Sequence, residues 1–420
     1  MNEKGKILEL LSKICKNSPC DEILVFLYKT KRNSNRFSSY SIRETISSED
    51  IELYIKVSID KKIGVAVSET LEEERLKYSL NKAVNNAKLS KKNPYYKTFL
   101  INPWEFSEIQ SYNIPESFIS ENFNKLKDIL AKTENDKIKL SGSLAFAEDI
   151  LAISNSRGLL LYQPLSFVFV KILARINNLT GFSSFLSRDI YRLNFTGLLD
   201  EAKRKCSLTQ EPQSVPLGKY RVLLEPQAVA DILEWLGYIG FGAKSIFEKR
   251  SFLYGRFGQR IMSEKLTIYD EGLEKDGFII PFDFEGAPKK RVEFIKEGVA
   301  SDVAYDTYYG SIYGKETSGH ANFPDSAEGP LPTNLSISEG DAAFEEMLKM
   351  LDRGIYISRF HYINGLLEPR TALMTGLTRD GTFFVENGAF KFPIKNLRFT
   401  ESMLNAFLNI EKISRERTLT

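Results

Sequence analysis

The chain has 420 residues, 42% of them hydrophobic and 12% aromatic, with 57 basic and 55 acidic side chains for a net charge of +2. That length allows two or three domains with their own cores, and the composition excludes a disordered chain. The near-neutral balance, without a long basic run, gives no push toward nucleic acid, and no apolar stretch approaches the ~20 residues of a membrane span.

Lys4 to Cys15 carries Ile7, Leu8, Leu11 and Ile14 at helical spacing. Strand-like runs follow at Glu22–Tyr28, Tyr40–Ile46 and Ile51–Ile59, and Asp60-Lys-Lys62 turns the last of these into Ile63–Val67 as a hairpin. Thr70 with Glu73 has the spacing of a capping box for a helix that buries Leu76, Leu80, Ala83, Val84 and Ala87 and stops before Asn93-Pro94. Residues 1–95 are therefore expected to form an N-terminal α+β domain. A connector, 93–103, leads to residues 96–210, expected as a central α+β domain. It has an amphipathic helix over 115–132, strands at Lys137–Glu148, Ile150–Ser154, Leu159–Tyr162 and Leu165–Ala174, and a helix near Thr196–Cys206. The helix–strands–helix order of the first region recurs here in longer form.

Thr209 to Gly218, rich in Pro, Gln and Ser, is expected as a linker. The remainder, 211–420, is expected as a mostly-β domain. Lys219–Leu224 is a strand, and Pro226 opens a helix with Ala228, Val229, Ile232, Leu233 and Leu236 on one face. Short strands are expected at Lys265–Tyr269, Arg291–Lys296, Val299–Tyr305, Ile355–Phe360, Thr382–Glu386 and Ala389–Pro393, with a helix over Ser338–Leu351. The expected class is α+β: helix and antiparallel-sheet regions, then a C-terminal domain rich in antiparallel strands.

Cysteine and histidine are scarce. Cys15, Cys20 and Cys206 make no disulfide framework; with a charged N-terminus lacking an apolar signal region, they point to a reducing cytoplasm. The two histidines are His320 and His361, fewer than a histidine-based zinc site uses.

In the C-terminal half, Phe247–Gly258, Leu266–Asp270, Pro281–Gly286, Phe294–Gly298, Thr317–Ala321 and Phe384–Gly388 with Phe392-Pro393 stand in a characteristic order. With Ile153–Gly158 and the helix after Thr70, this series resembles the TldD/PmbA family, also labelled modulators of DNA gyrase. The resemblance implies a cytoplasmic zinc peptidase of two subunits that trims or degrades unfolded peptides. TldD-type subunits carry a His-Glu-x-x-x-His helix and a distant cysteine ligand; PmbA/TldE-type subunits lack them and pair with TldD. Here the motif's place falls near Trp235–Gly240, without histidine, and no cysteine follows Cys206. The resemblance therefore implies a PmbA/TldE-type, non-catalytic chain, with zinc held by a TldD-type partner. The alternative is a homodimer that binds peptide without cleaving it.

No catalytic residue or metal ligand is assigned. The candidate peptide- or partner-binding residues are His320, Ser318 and Asn322 in one Gly-flanked loop, with Trp235, Tyr238 and Tyr254. His320 is expected either to line a peptide groove or to be a locally hydrogen-bonded loop histidine; His361 is expected as a half-buried strand residue. Ser251 lacks a nucleophile elbow and is expected to be structural. Asp283 and Glu285 alternate along an extended run, which puts both on one side, as an acid pair or a solvated face. Ala287-Pro-Lys-Lys-Arg291 is expected as a solvated turn, and Glu386-Asn-Gly388 as a hairpin turn.

Overall fold

The structure is a computed structural model, and the residues described are 2–96, 98, 104, 108–206, 211–274 and 277–420. Most of the 93–103 connector and the first two residues of the 209–218 linker lie outside them. The architecture is α+β with antiparallel sheets.

The first half runs α1 (Glu3–Lys16), β1 (Glu22–Ser39), β2 (Ser41–Ile59), β3 (Lys62–Ser68), α2 (Glu73–Leu89), α3 (Glu116–Asn135), β4 (Lys139–Asn155), β5 (Leu160–Ile176), β6 (Leu179–Ser187) and α4 (Phe195–Cys206). Among the described residues the strands form a six-stranded sheet ordered β3-β2-β1-β4-β5-β6. Its centre is the antiparallel β1–β4 pairing, from Leu24 opposite Asn155 to Ser39 opposite Leu140. The strands on either side of residue 95 thus belong to one sheet, each set meandering outward from this central pair.

The strands are longer than their apolar runs. Ser47–Asp50 does not break β2, because its backbone continues the ladder with β1 at Ser47 opposite Asn33. Pro164 does not break β5 either. It stands opposite Ile150 of β4, while β6 reaches only Val168, so on that side the missing N–H leaves no ladder bond unmade. The capping box at Thr70 does not form: the Thr70 hydroxyl accepts the Glu72 N–H two residues on, and α2 begins at Glu73 without a side-chain cap.

Alternate residues of β1 serve two cores. Ile23, Val25 and Leu27 meet Leu11, Leu53, Ile55 and Ala83 beneath α1 and α2, whereas Leu24 and Phe26 meet Tyr54, Ile153 and Phe282 on the opposite face. Because both faces are covered, 23–27 is a continuous apolar run. Under α3 and α4 a further core gathers Leu126, Leu130, Leu144, Phe146, Val168 and Ala202. Burial pushes the Cys15 and Cys206 thiols up to about 11, as expected of inert core thiols.

The second half contains β7 (Val222–Leu224), α5 (Pro226–Gly240), α6 (Ala243–Phe247), β8 (Ile268–Asp270), β9 (Val292–Lys296), β10 (Val299–Ala300), α7 (Thr307–Tyr313), β11 (Leu335–Ile337), α8 (Phe344–Leu351), β12 (Arg353–Glu368), β13 (Leu373–Glu386), β14 (Ala389–Pro393), β15 (Arg398–Ser402) and α9 (Met403–Leu408). One sheet is ordered β10-β9-β8-β11; the other is β14-β13-β12-β7, with β15 also on β13 and β7 parallel to β12. Their shared core centres on Leu236, Phe241, Phe252, Phe294 and Met374.

The helix expected over 338–351 starts only at Phe344. Upstream, Gly340 and Ala342 donate their N–H groups to Ser414 and Ile413, and Arg415 donates to Ala342, so the C-terminal segment takes the backbone groups a longer helix would need. The Asn387-Gly388 turn joins β13 to β14 with positive φ at both residues, +53° and +67°.

Candidate functional site

α5 lies along a cleft of about 2570 Å³. Pro226 starts the helix, and Ala228, Ile232, Leu236 and Ile239 point into the core. Gln227, Asp231, Glu234, Trp235 and Tyr238 face the cleft. Tyr112, Phe167, Phe169 and Arg188 line it from the first half of the chain, and Leu335–Glu339 with Glu411–Ser414 and Glu416–Thr420 from the second. Asp231 is tied down: it accepts from Gln227 Nε2 and from the Phe360 N–H, both at 2.9 Å, and burial raises its carboxyl above the usual range.

Two glycines are sterically closed here, Gly240 at the end of α5 and Gly365 of β12. A Cβ built on Gly240 would lie 2.1 Å from Phe252 Cε1, so no side chain fits there without moving the core. The Trp235 ring covers Gly365, where a Cβ would come within 2.7 Å of Trp235 Cε3. Trp235 and Tyr238 meet edge to face, with centroids 6.0 Å apart.

A buried polar centre lies elsewhere in the C-terminal half. His320 and Asp270 are both 0% exposed. His320 Nε2 stands 3.1 Å from Asp270 Oδ1, the separation of a hydrogen bond, but the two atoms are not aligned as donor and acceptor. Asp270 Oδ2 accepts the Thr333 and Asn334 N–H groups at 2.6 Å, and Lys289 Nζ lies 3.8 Å from Oδ1 while bonding Thr333 Oγ1. Burial alone would raise the Asp270 carboxyl; the imidazole, the ammonium and the amides outweigh it and hold Asp270 well below the ordinary range. Burial, reinforced by Lys289, lowers His320, which its contacts with Asp270 and Ser318 only partly oppose. His320 Nδ1 is 2.9 Å from the Ser318 carbonyl and 3.0 Å from its hydroxyl. Ser318, His320 and Asp270 thus form a chain resembling a nucleophile–base–acid series. It is sealed, however, and the Ser318 hydroxyl is engaged by both the carbonyl and the N–H of Tyr305.

Next to it sit Asp283, Glu285 and Asp306. Asp283 and Glu285 are not on a strand. Asp283 opens a tight turn, accepting the Glu285 and Ala287 N–H groups at 2.9 Å, and Gly286 completes it at φ +79°. Both are buried: Asp283 also accepts the Ala321 N–H, while Glu285 bonds Lys56 of β2 and both the hydroxyl and N–H of Thr307. Asp306 caps α7 through the Tyr309 N–H at 2.7 Å. Burial first, then the charge of Glu285, lifts the Asp283 and Asp306 carboxyls to about 7. The solvated turn expected at 287–291 is corrected in part: Lys289 is buried, drawn inward by Asp270, whereas Lys290 pairs with Glu316 at the surface.

Of the sequence-predicted residues, the structure brings Trp235 and Tyr238 together at the cleft and encloses Ser318 and His320 in the polar centre. Asn322 is half-buried, its side chain accepting the Phe323 N–H. Tyr254 sits apart, 5.0 Å beneath the Arg370 guanidinium. Ser251 is fully buried, donating to the Gly240 carbonyl at 2.8 Å. His361 is half-buried beside Tyr362. Sequence reasoning missed Asp270, Lys289, Asp306 and Lys56. Asp306-Thr307 had the local signature of a helix cap; the other three are recruited by partners distant in sequence.

The residues present do not fit a zinc site on α5, where the cleft-facing carboxylates Asp231 and Glu234 have no histidine or cysteine beside them. Among the described residues, no group of three or more His, Cys, Asp or Glu side chains is placed to hold a metal ion.

Residues 217–420 match the PmbA/TldA metallopeptidase C-terminal domain. Metalloprotease MJ0996 of Methanocaldococcus jannaschii is 24% identical over 384 residues, covering 85% of this chain and 81% of that protein. Metalloprotease PmbA of Escherichia coli O157:H7 is 26% identical over 175 residues, 41% of this chain and 36% of that protein. The crystal structure of TldE from Thermococcus kodakarensis superposes with a TM-score of 0.84 at 19% identity, covering 99% of this chain and 95% of that one. With the ordered motifs and these relatives in agreement, residues 217–420 form the C-terminal domain of the PmbA/TldD family, and the whole chain has the fold of TldE.

Proposed function

We propose that this chain is the PmbA/TldE-type, non-hydrolytic subunit of a cytoplasmic peptidase whose zinc is held by a TldD-type partner, and that its cleft helps hold unfolded peptide. One observation carries this: α5 offers no ligand set where the family's metal helix is expected, and Gly240 is packed so tightly on Phe252 that no side chain fits. A zinc-activated water needs ligands that fix the metal, and the carboxylates Asp231 and Glu234 have no histidine or cysteine beside them on this helix to complete such a set. The aromatic lining of the cleft supports a role in holding extended chains, since aromatic side chains give large contact areas with little conformational loss.

The test is co-expression with a homologue that carries His-Glu-x-x-x-His. The proposal expects a stable one-to-one complex on gel filtration. Recovery of this chain only as a homodimer, with the partner excluded, would count against it and favour a stand-alone peptide-binding protein.

A further inference from the structure

Among the described residues β11 is the outer strand of its sheet and lines the cleft, and beside it the chain folds its own C-terminal segment against the wall. Residues 413–415 are pinned by backbone bonds to Gly340 and Ala342, and Lys412 pairs with Asp341 at 3.0 Å. From there Arg417 reaches the Glu274 carboxylate, which also receives the Tyr269 hydroxyl at 3.2 Å and the Ser336 hydroxyl of β11 at 3.3 Å. The Tyr269 ring face is covered by the Arg291 guanidinium at 3.7 Å, with Arg417 further off at 5.8 Å, so the ring contributes to the site through its hydroxyl. Glu274 is largely enclosed, its side chain 17% exposed, while Arg417 at 34% remains accessible. Arg417 and Ser336 both line the cleft. A half-enclosed carboxylate whose oxygens are fixed by two hydroxyls makes a receptor for a planar cation.

We propose that Glu274, Tyr269 and Ser336 form a guanidinium subsite on the cleft wall, filled in this structure by the chain's own Arg417, and that an arginine of a cleft-bound peptide enters by displacing that segment. This rests on the cleft being a peptide site, as proposed above. The carboxylate meets one guanidinium at a time, so peptide and segment compete, and the segment lowers the apparent affinity for arginine-containing chains. Neutral residues at the same point gain nothing from the subsite.

The test uses the full chain and two fluorescently labelled unstructured decapeptides, identical except for a central arginine in one and citrulline in the other. Fluorescence anisotropy gives Kd for the wild type, for Arg417→Ala and Arg417→Gln, and for Arg417→Ala combined with Glu274→Gln. The Arg417 variants are expected to prefer the arginine peptide roughly tenfold, as for one charge-assisted contact. The wild type should show a smaller preference, and the double variant none. Thermal melts identify any variant that does not fold, and the glutamine substitution keeps the side chain's bulk should alanine loosen the segment. Equal binding of the two peptides by folded Arg417 variants overturns the subsite and leaves the cleft proposal standing. If neither peptide binds any variant or the wild type, the cleft proposal fails and the subsite fails with it.

Discussion

Lys56 Nζ lies 2.9 Å from Glu285 Oε1, joining the second strand of the N-terminal sheet to the acid-bearing turn of the C-terminal half. Their side chains are 16% and 5% exposed, so removing one partner strands a buried charge. Lys56→Met should destabilise the protein by about 3 kcal/mol, and the Lys56→Met, Glu285→Gln double variant should recover part of that loss. Urea unfolding midpoints check both. A cost in the single variant no larger than that of an exposed pair would show that the contact does not fasten the two halves.

Asp306 sets a pH dependence whose sign follows from its carboxyl being raised to about 7. Between its unfolded value near ~4 and about 7 the folded chain keeps a proton that the unfolded chain has released, so its contribution falls as pH rises through that window. Asp283 contributes with the same sign. His320, lowered by burial, contributes oppositely below ~6.5, and Asp270, held low, loses its stabilisation only as pH drops below ~4. Comparison of Asp306→Asn with the wild type isolates one group, because asparagine still caps α7. The variant should gain on the wild type from pH 5 to about 7 in thermal melts and level off above that; a constant difference would refute the assignment.

The polar centre should be costly to open. His320→Ala leaves Asp270 and Lys289 buried without the imidazole and creates a cavity, for an expected loss of about 3 kcal/mol. Denaturant melts at pH 7 test this. A loss under about 0.5 kcal/mol, as at an unremarkable surface position, would contradict the structural role of His320.

Much of the fold was legible because local periodicity carries it. The apolar spacing of α1, α2 and α5 is visible in their sequences, as are the Asn387-Gly388 turn and the apolar run of β1. Strand length was not legible: Ser47–Asp50 and Pro164 look like breaks, yet ladder partners supplied from afar continue both strands. That residues 235–240 contain no metal-ligating pair is a fact of the sequence itself. Lys289 resembled a surface lysine because the group that draws it inward, Asp270, lies at the end of β8, distant in sequence. Asp283 and Glu285 looked extended because the turn depends on Gly286 adopting positive φ, a choice that alternation does not encode. Long-range charge pairing is set by the tertiary fold, and a local window does not contain it.

Gly240 offers a steric test. Gly240→Ala places a Cβ against the Phe252 ring and should cost about 2 kcal/mol or more, and Phe252→Leu on that background should relieve part of it. Chemical denaturation of the pair of variants decides it. An alanine variant as stable as the wild type would show that the helix can admit side chains there, and a ligand-bearing helix would become sterically possible.

The most direct measurement is zinc content and peptide hydrolysis for this chain alone and for its purified complex with a His-Glu-x-x-x-His homologue. The account predicts no stoichiometric zinc and no cleavage by the isolated chain. The complex should hold one zinc per pair and lose its activity when the partner's motif glutamate is replaced by glutamine. Stoichiometric zinc in the isolated chain, together with chelator-sensitive cleavage of an unfolded peptide, would contradict it.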